Sequence, residues 1–335
     1  MQNLFKNFRQ EQIIDTEKPT LWVSGCILGH EVRFDGGHKK QSFVTQKLSE
    51  VVNLVPICPE VEGGMGTPRE SIRLVTIGGT PRALGNRSGD DYTEQLSQWG
   101  EDYLDNAQRE QVNGVILKKG SPSCGLERVR VYPHGEKGAV PDRDGRGLFA
   151  QQAVEKFADL PFTEDGWLND SSMKERFLIQ VFTDFRFQKT CNKKSVVELL
   201  EFHAKHKFLF MAFDPAGQKR LGRLLSRAGT ESWDKVVKDY RLEMNKVLSN
   251  FPSRKRYTNA LQHLAGFLKD ILPGIYRKEV ANAILKYSEN AIGLEVPMSL
   301  LKHHALNPKA PAYLKKQVYL TPYPVMQLAE QHGIR

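Results

Sequence analysis

The chain has 335 residues, of which 40% are hydrophobic and 26% are charged, and this composition is typical of a folded globular protein with more than one core. No run of eighteen apolar residues occurs, which excludes a membrane-spanning helix of the usual length, and residues 1–18 lack the apolar segment of a signal peptide. These features predict a cytoplasmic protein, whose four cysteines are thiols or metal ligands and not disulfides.

The net charge of +9 is spread unevenly along the chain. Residues 1–170 hold 20 basic and 25 acidic residues, whereas residues 171–335 hold 28 basic and 14 acidic residues. An acidic half next to a strongly basic half suggests that one part carries out chemistry and the other binds a polyanion such as nucleic acid. A solvated basic surface that binds nothing is the alternative.

The first half alternates short apolar strands with helices. Strands are predicted at 21–25, 54–57, 114–117 and 160–163, a hairpin at 71–77 and 81–84, and helices at 43–52, 93–111 (capped by Thr93) and 145–157. This alternation is typical of an α/β domain with a Rossmann-like parallel sheet. Ligands of such sheets lie beyond the carboxyl ends of the strands.

From about residue 173 onwards the pattern is helical. The clearest helices are predicted at 195–210, 231–248, 257–272 and 277–290, and the segment 307–324, rich in Pro, Lys and Tyr, is predicted to be an extended surface strap. The changes in pattern and in charge predict an N-terminal α/β domain over 1–168 and a C-terminal all-α domain over 169–335.

Three of the four cysteines follow three separate strands. Cys26, Cys58 and Cys124 are therefore expected to lie at one edge of one sheet, although they are far apart in sequence. Three thiolates suit zinc or an iron–sulfur cluster, and the lack of a C-x-x-C pair argues against a structural zinc ribbon. Three protein ligands leave one metal position open, as a catalytic metal needs. Cys191, in the helical half, is predicted to be a packing thiol rather than a fourth ligand.

The loops that carry these cysteines resemble the thiouracil desulfidase family, called TudS, over about residues 20–163. The resemblance is carried by Cys26-Ile27-Leu28-Gly29 leading to Arg33-Phe34-Asp35-Gly36-Gly37, by Cys58-Pro59-Glu60-Val61-Glu62-Gly63-Gly64, and by Ser121-Pro122-Ser123-Cys124-Gly125. It implies a [4Fe-4S] cluster on Cys26, Cys58 and Cys124 and the non-redox removal of sulfur from thiolated uracil. Val32 stands where many relatives have another cysteine.

The same resemblance implies roles for two further residues. Glu60 matches the family's catalytic acid/base and Ser121 its active-site serine. The alternatives are a carboxylate that caps the amides of Gly63-Gly64 and a serine that begins a turn. Arg33, Arg69 and Ser123 are predicted as further substrate contacts, although Arg33 could equally form a structural ion pair with Asp35.

The helical half resembles the YbgA-type domain. The matching motifs are Phe202-His203-x-x-His206-Lys207-x-x-x-Met211-Ala212, Leu221-Gly222-Arg223 and Tyr319-Leu320-x-Pro322-Tyr323-Pro324. The two domains in this order resemble the bacterial tRNA 4-thiouridine desulfidases, which implies tRNA containing 4-thiouridine as the partner and uridine and hydrosulfide as products. Arg223, Arg254, Lys255 and Arg256 are the predicted RNA contacts. His203 and His206 are predicted to pack or contact RNA rather than bind a metal.

Two other functions stay open. One is a desulfidase of free thiouracil-type bases, and the other is a non-catalytic, metal-containing RNA-binding protein. An enzyme that adds sulfur is disfavoured, because the chain has no phosphate-binding G-x-x-x-x-G-K-[ST] loop.

Overall fold

The computed structural model describes residues 17–135, 140–324 and 328. Within these residues the chain divides into two compact units, the first of 17–135, 140–181 and 328 and the second of 182–324. The long helix Ser171–Cys191 crosses from the first unit into the second. The proposed domain boundary at 168/169 lies just before this helix.

A four-stranded parallel sheet forms the centre of the first unit. With strands numbered in chain order, its order is β2 (Asn53–Ile57), β1 (Thr20–Ser24), β5 (Gly114–Leu117) and β8 (Phe162–Glu164). Every residue of β1 and β5 is buried, which explains why both strands read as continuous apolar runs. The Rossmann-like α/β class predicted from the sequence is confirmed.

A second sheet of mixed direction was only half predicted. Its order is β4 (Thr80–Gly85), β3 (Ile72–Ile77), β6 (Val129–Pro133) and β7 (Asp142–Gly145). The β3–β4 hairpin agrees with the prediction, whereas β6 and β7 were missed. Three of the four residues of β7 are charged and exposed, so this strand carries no apolar signal.

The first unit contains the helices α1 (Gly25–Leu28), α2 (Thr93–Asp105) and α3 (Leu148–Lys156). α2 is shorter than predicted, and Thr93 is its first helical residue rather than its cap. The hydroxyl of Thr93 accepts a hydrogen bond from the Ala83 amide (2.8 Å), while Asp91 accepts the Thr93 amide (2.9 Å). The predicted helix at 43–52 is a π-helical turn followed by a 3-10 turn.

Helices build the second unit, as predicted. They are α4 (Ser171–Cys191, shared with the first unit), α5 (Val196–Phe213), α6 (Pro215–Leu225), α7 (Trp233–Leu248), α8 (Arg254–Gly266), α9 (Gly274–Ser288), α10 (Glu295–Ala305) and α11 (Ala312–Lys315). No helix among the described residues is long and apolar enough to span a bilayer.

The predicted surface strap at 307–324 is wrong. This segment holds α11 and a 3-10 turn at Val318–Leu320, and Leu314, Tyr319 and Leu320 are buried. Gln317 is also buried and donates from its side-chain amide to the Ala204 carbonyl (3.0 Å). The prediction failed because it relied on the Pro and Lys content of the segment, whereas the apolar side chains between these residues are part of the core.

Candidate metal centre

A cavity of about 230 Å³ lies at the carboxyl ends of the parallel strands. The chain segments that follow β1, β2 and β5 supply most of its wall, and the start of β3 and the loop at 32–34 complete it. Its lining includes Cys26, Cys58 and Cys124, together with Arg33, Glu60, Arg69 and Ser121. The sheet therefore brings together three cysteines that the sequence separates by up to 98 positions.

Cys26 lies two residues after β1, within the short helix α1. Gly29 ends this helix with φ of 98°, a conformation that a residue with a Cβ rarely adopts. The turn lets the chain fold back, so that the Lys39 amide donates to the Cys26 carbonyl (2.8 Å). The Cys26 carbonyl thus accepts hydrogen bonds from the amides of both Gly29 and Lys39, which fix the backbone that carries the first thiol.

Cys58 follows β2 directly. Its amide donates to the Glu62 carboxylate (2.8 Å), and the Glu62 amide donates to the Cys58 carbonyl (2.9 Å). Glu62 thus fixes the loop around the second thiol. The Cys58 thiol itself lies 3.9 Å from the Val32 carbonyl oxygen.

Cys124 lies in a turn that Ser121 caps. The Ser121 hydroxyl oxygen accepts from the amides of Ser123 (3.2 Å) and Cys124 (3.1 Å). Gly147 approaches this turn so closely that a Cβ on it would lie 2.5 Å from the Ser123 carbonyl carbon. Ser121 lines the cavity, and its hydroxyl orients the backbone amide of Cys124.

All three thiols are buried and unpaired. Burial raises the pKa of Cys26 to about 11 and that of Cys124 to about 12, and it raises the pKa of Cys58 well above its ordinary value. Lys118 and then Arg33 oppose the increase at Cys26. Without a metal these groups are neutral thiols at pH 7, so metal binding must release protons.

The residues present fit a polynuclear cluster better than a single ion. Within the described part of the chain, no three His, Cys, Asp or Glu side chains converge on a point where one metal ion could bind. The three thiols instead line a shared cavity, and no histidine or fourth cysteine is among the described residues that line it. Soft sulfur donors spread around such a space match the ligand set of an iron–sulfur cluster with one position free of protein.

Glu60 is the carboxylate of this cavity. Its side chain is 15% exposed, and Arg69 donates to Oε2 from Nε at 3.1 Å and from Nη2. The Ser123 hydroxyl donates to Oε1 (2.9 Å). The alternative interpretation of Glu60 as a cap for the following glycine amides finds no support in these bonds.

The predicted substrate contacts differ in their positions. Arg33 lines the cavity, pairs with the half-exposed Asp35 (3.4 Å) and lies over the ring of Phe34. Arg69 also lines the cavity, but its side chain is only 6% exposed. Ser123 is fully buried and is not part of the lining. The Ser123 hydroxyl instead contacts Glu60.

Sequence analysis missed three residues at the same edge. Lys118 lines the cavity and pairs with Asp165, while the Lys118 amide donates to the buried Ser24 hydroxyl (3.0 Å). The Ser24 hydroxyl also hydrogen-bonds to the Cys124 thiol. Each of these residues ends or directly follows a strand of the parallel sheet, which is the pattern that also predicts the meeting of the cysteines.

The predicted RNA contacts in the second unit divide into two kinds. Arg254 donates to the Tyr287 carbonyl (2.6 Å) with its guanidinium carbon 4.4 Å from the Tyr287 ring centroid, and Arg256 donates to the Phe213 carbonyl (2.7 Å). These two half-buried arginines bind the protein itself. Arg223 and Lys255 are exposed.

His203 and His206 are held by hydrogen bonds within the second unit. His206 is buried between the Phe202 carbonyl (2.7 Å) and the Arg186 Nε (3.1 Å), and His203 bonds to the Tyr240 hydroxyl (2.8 Å). Cys191 is buried in the second unit and is not among the residues that line the cavity.

Two families match the chain. Residues 21–165 match the family described as 2-thiouracil desulfurase, and residues 207–324 match a family described as a protein of unknown function, DUF1722. The uncharacterized protein YbbK of Bacillus subtilis strain 168 is 37% identical over 110 residues, which cover 31% of this chain and 71% of YbbK. The uncharacterized protein YbgA of Escherichia coli K12 is 28% identical over 130 residues, which cover 38% of this chain and 75% of YbgA.

A solved structure described as the [4Fe-4S]-dependent thiouracil desulfidase TudS is 27% identical to this chain, with a TM-score of 0.37, and the match covers 47% of this chain and 98% of that one. The resemblance of the first half to thiouracil desulfidases and of the second half to the YbgA-type domain is confirmed by the family matches and by YbgA.

Proposed function

We propose that this chain, which belongs to the 2-thiouracil desulfurase family, removes sulfur from 4-thiouridine in tRNA and leaves uridine and hydrosulfide. In this proposal residues 1–168 form the desulfidase domain and residues 169–335 form the domain that binds tRNA. The observation that carries it is the meeting of Cys26, Cys58, Cys124 and Glu60 around one cavity, inside the segment that matches the family.

Cys26, Cys58 and Cys124 would hold a [4Fe-4S] cluster. When bound, such a cluster with one iron free of protein ligands supplies a thiophilic Lewis acid. The reaction exchanges the sulfur of a thiocarbonyl for the oxygen of water, so the products are a carbonyl and hydrogen sulfide. No electrons are gained or lost, and the protein needs no reductant for it.

The chain's own residues would transfer protons and bind the nucleobase. Attack by water on the ring carbon requires a group that removes a proton, and the departing sulfur requires a proton in return. Glu60 is the carboxylate at the cavity, and both of its oxygens are oriented by hydrogen bonds. Arg33 and the 38% exposed ring of Phe34 lie at the same cavity, where a cation and an aromatic face suit a nucleobase.

The tRNA part of the proposal is supported by charge. Residues 171–335 carry twice as many basic as acidic residues, and a base inside folded tRNA must leave its stack to reach an active site. Phosphate contacts elsewhere on the protein can supply the free energy for that unstacking. Exposed cations on the helical unit, such as Arg223 and Lys255, are suited to this task.

The test is anaerobic incubation of the iron-loaded protein with tRNA containing 4-thiouridine, followed by nucleoside analysis. The expected result is loss of 4-thiouridine, matched by a gain of uridine and of sulfide. Iron and acid-labile sulfide are measured on the same sample. Iron-loaded protein that leaves 4-thiouridine intact contradicts the proposal, and zinc without sulfide would favour a non-catalytic RNA-binding protein.

A desulfidase of free thiouracil is the second candidate. Every described residue that lines the cavity lies between Ser24 and Cys124, so the cavity itself requires no residue of the helical unit. Competition separates the two functions, because thiolated tRNA should inhibit turnover of free 4-thiouracil at concentrations far below those of the free base. Turnover of the free base that tRNA does not inhibit would favour the second candidate.

A further inference from the structure

Two buried side chains hold the Glu60 carboxylate from opposite sides. Arg69 donates to Oε2 and Ser123 donates to Oε1 (2.9 Å). Ser123 has no exposed surface, and the Arg69 side chain is 6% exposed. Glu60 is the member of this group with the greatest access to the cavity, at 15% side-chain exposure.

All five N–H groups of Arg69 have acceptors within the protein. Nε and Nη2 donate to Glu60, and Nη2 also donates to the Val32 carbonyl (3.1 Å). Nη1 donates to the Gly66 carbonyl (2.8 Å) and to the Thr67 hydroxyl (3.0 Å). A guanidinium has five donors in a fixed plane, so Arg69 keeps none for a bound substrate.

The same bonds connect the segments that carry the cysteines. Glu60 follows Cys58 by two residues, and Ser123 directly precedes Cys124. Val32, whose carbonyl binds Arg69, also lies 3.9 Å from the Cys58 sulfur. The position of the Glu60 carboxylate is therefore set by two cysteine loops and by the loop at 66–67.

We infer that Arg69 and Ser123 are positioning residues, which act on the reaction only through the orientation of Glu60. This inference rests on the proposed function and removes both residues from the set of substrate contacts. A general acid or base must lie within hydrogen-bond reach of the atom it serves, and a displacement of about 1 Å can cost roughly a hundredfold in rate. Removal of the hydrogen bonds from Arg69 or Ser123 to Glu60 should therefore lower kcat while leaving KM unchanged.

The test uses Ser123→Ala and Arg69→Lys, both loaded with iron and sulfide and assayed on a thiolated uracil substrate. Ser123→Ala removes one hydroxyl, and Arg69→Lys keeps the positive charge but loses the planar guanidinium and its five N–H donors. The expected result is a loss of about ten- to a hundredfold in kcat per bound cluster, with KM and the visible cluster spectrum as in the wild type.

Matched controls exist in the same unit. Arg109 is another half-buried arginine, with a side chain 11% exposed, and its guanidinium donates to Asp159 (3.1 Å) and to the Val112 carbonyl (2.7 Å) away from the cavity lining. Ser49 donates its hydroxyl to the Thr45 carbonyl (2.9 Å). Arg109→Lys and Ser49→Ala should keep the wild-type kcat per cluster.

Three results would overturn the inference. They are wild-type kcat in both variants, a raised KM at unchanged kcat (which would make the residues substrate contacts), and an activity loss explained by lost cluster alone. Failure of the proposed function gives a different outcome, because the loaded wild-type protein would then release no sulfide from thiolated uracil.

Discussion

Each cavity cysteine presents a buried thiol that holds its proton more tightly than a thiol in water. The raised pKa values at Cys26, Cys58 and Cys124 come from burial, so the three thiols carry no charge at pH 7 when no metal is bound. A metal–thiolate bond must replace the S–H proton to be stable there.

Removal of any cavity thiol should therefore abolish cluster binding. Cys26→Ala, Cys58→Ala and Cys124→Ala are each expected to lose the visible absorbance, the iron and the acid-labile sulfide. Cys191→Ala is the control, since Cys191 is equally buried but lies in the helical unit. An Ala variant of a cavity cysteine with the full iron content would contradict the ligand set.

Replacement of Glu60 should separate chemistry from assembly. Glu60→Gln keeps the side-chain volume but cannot accept a proton, so turnover should fall by on the order of a hundredfold or more while cluster absorbance stays unchanged. Glu155→Gln, an exposed carboxylate on α3, serves as the control. Full activity of Glu60→Gln would remove Glu60 from the mechanism.

Sequence reasoning reached the residue types at the site but not the direction of their bonds. The cysteines could be located because each follows a strand, and the edge of a parallel sheet is a geometric consequence of its topology. Nothing in the sequence shows that the Ser123 hydroxyl donates to Glu60. Nor does it show that Arg254 donates to the Tyr287 carbonyl and Arg256 to the Phe213 carbonyl. Those contacts join residues up to 63 positions apart, and they depend on packing.

At the scale of secondary-structure elements, apolar runs were informative and polar ones were not. β1 and β5 are buried on both faces, so continuous hydrophobicity identified them. Three of the four residues of β7 are charged and exposed, and α11 lies in a segment rich in Pro and Lys. Each forms an element because it is supported by neighbouring elements, as β7 is by its pairing with β6. Elements that depend on tertiary contacts in this way cannot be predicted from local composition.

The helix α5 places two histidines in the core of the second unit, and this makes the unit sensitive to acid. Burial, and secondarily Lys207, lowers the pKa of His203 to about 4, while burial and then Arg186 lower the pKa of His206 well below its ordinary value. The unfolded chain therefore binds protons that the folded unit excludes. Stability should fall as the pH drops from about 6.5 towards 4, by about 1.4 kcal/mol per pH unit for each histidine.

Urea unfolding followed by helical circular dichroism at about pH 7 and about pH 5 measures this dependence. His203→Gln should reduce the difference in unfolding free energy between the two pH values, whatever its effect on stability at pH 7. His263→Gln, on the exposed face of α8, should leave the difference unchanged. An unaltered pH dependence in His203→Gln would show that His203 is not the titrating group.

At the scale of the whole molecule, the chain joins an acidic unit with a buried cavity to a basic helical unit. This division could be predicted from the sequence, because charge and pattern change together near residue 170. The cations that remain for a polyanion could not be identified from charge alone, since many of them have partners. Lys205 pairs with Glu201 (3.0 Å) and Lys235 pairs with Glu231 (3.2 Å), each at a spacing of four residues.

Arg223 and Lys255 are exposed, and neither has a carboxylate partner among the residues that the structure describes. If the helical unit binds tRNA through phosphates, Arg223→Ala combined with Lys255→Ala should weaken tRNA binding. The slope of the logarithm of the binding constant against the logarithm of the salt concentration should become shallower by about 2, roughly 1 for each lost phosphate contact. Titrations of the tRNA complex over a range of salt concentrations measure both quantities. Turnover of free 4-thiouracil should stay at the wild-type rate, because the cavity lies in the other unit.

Lys205→Ala combined with Lys235→Ala is the matched control, because it removes the same charge from the same unit at positions already neutralised by glutamates. This variant should bind tRNA almost as the wild type does, since an ion-paired lysine has fewer counterions to exchange. A comparable decrease in both double variants would mean that only net charge matters. Equal loss of activity on tRNA and on free 4-thiouracil in the Arg223/Lys255 variant would show that the helical unit supports the catalytic unit and does more than hold the RNA.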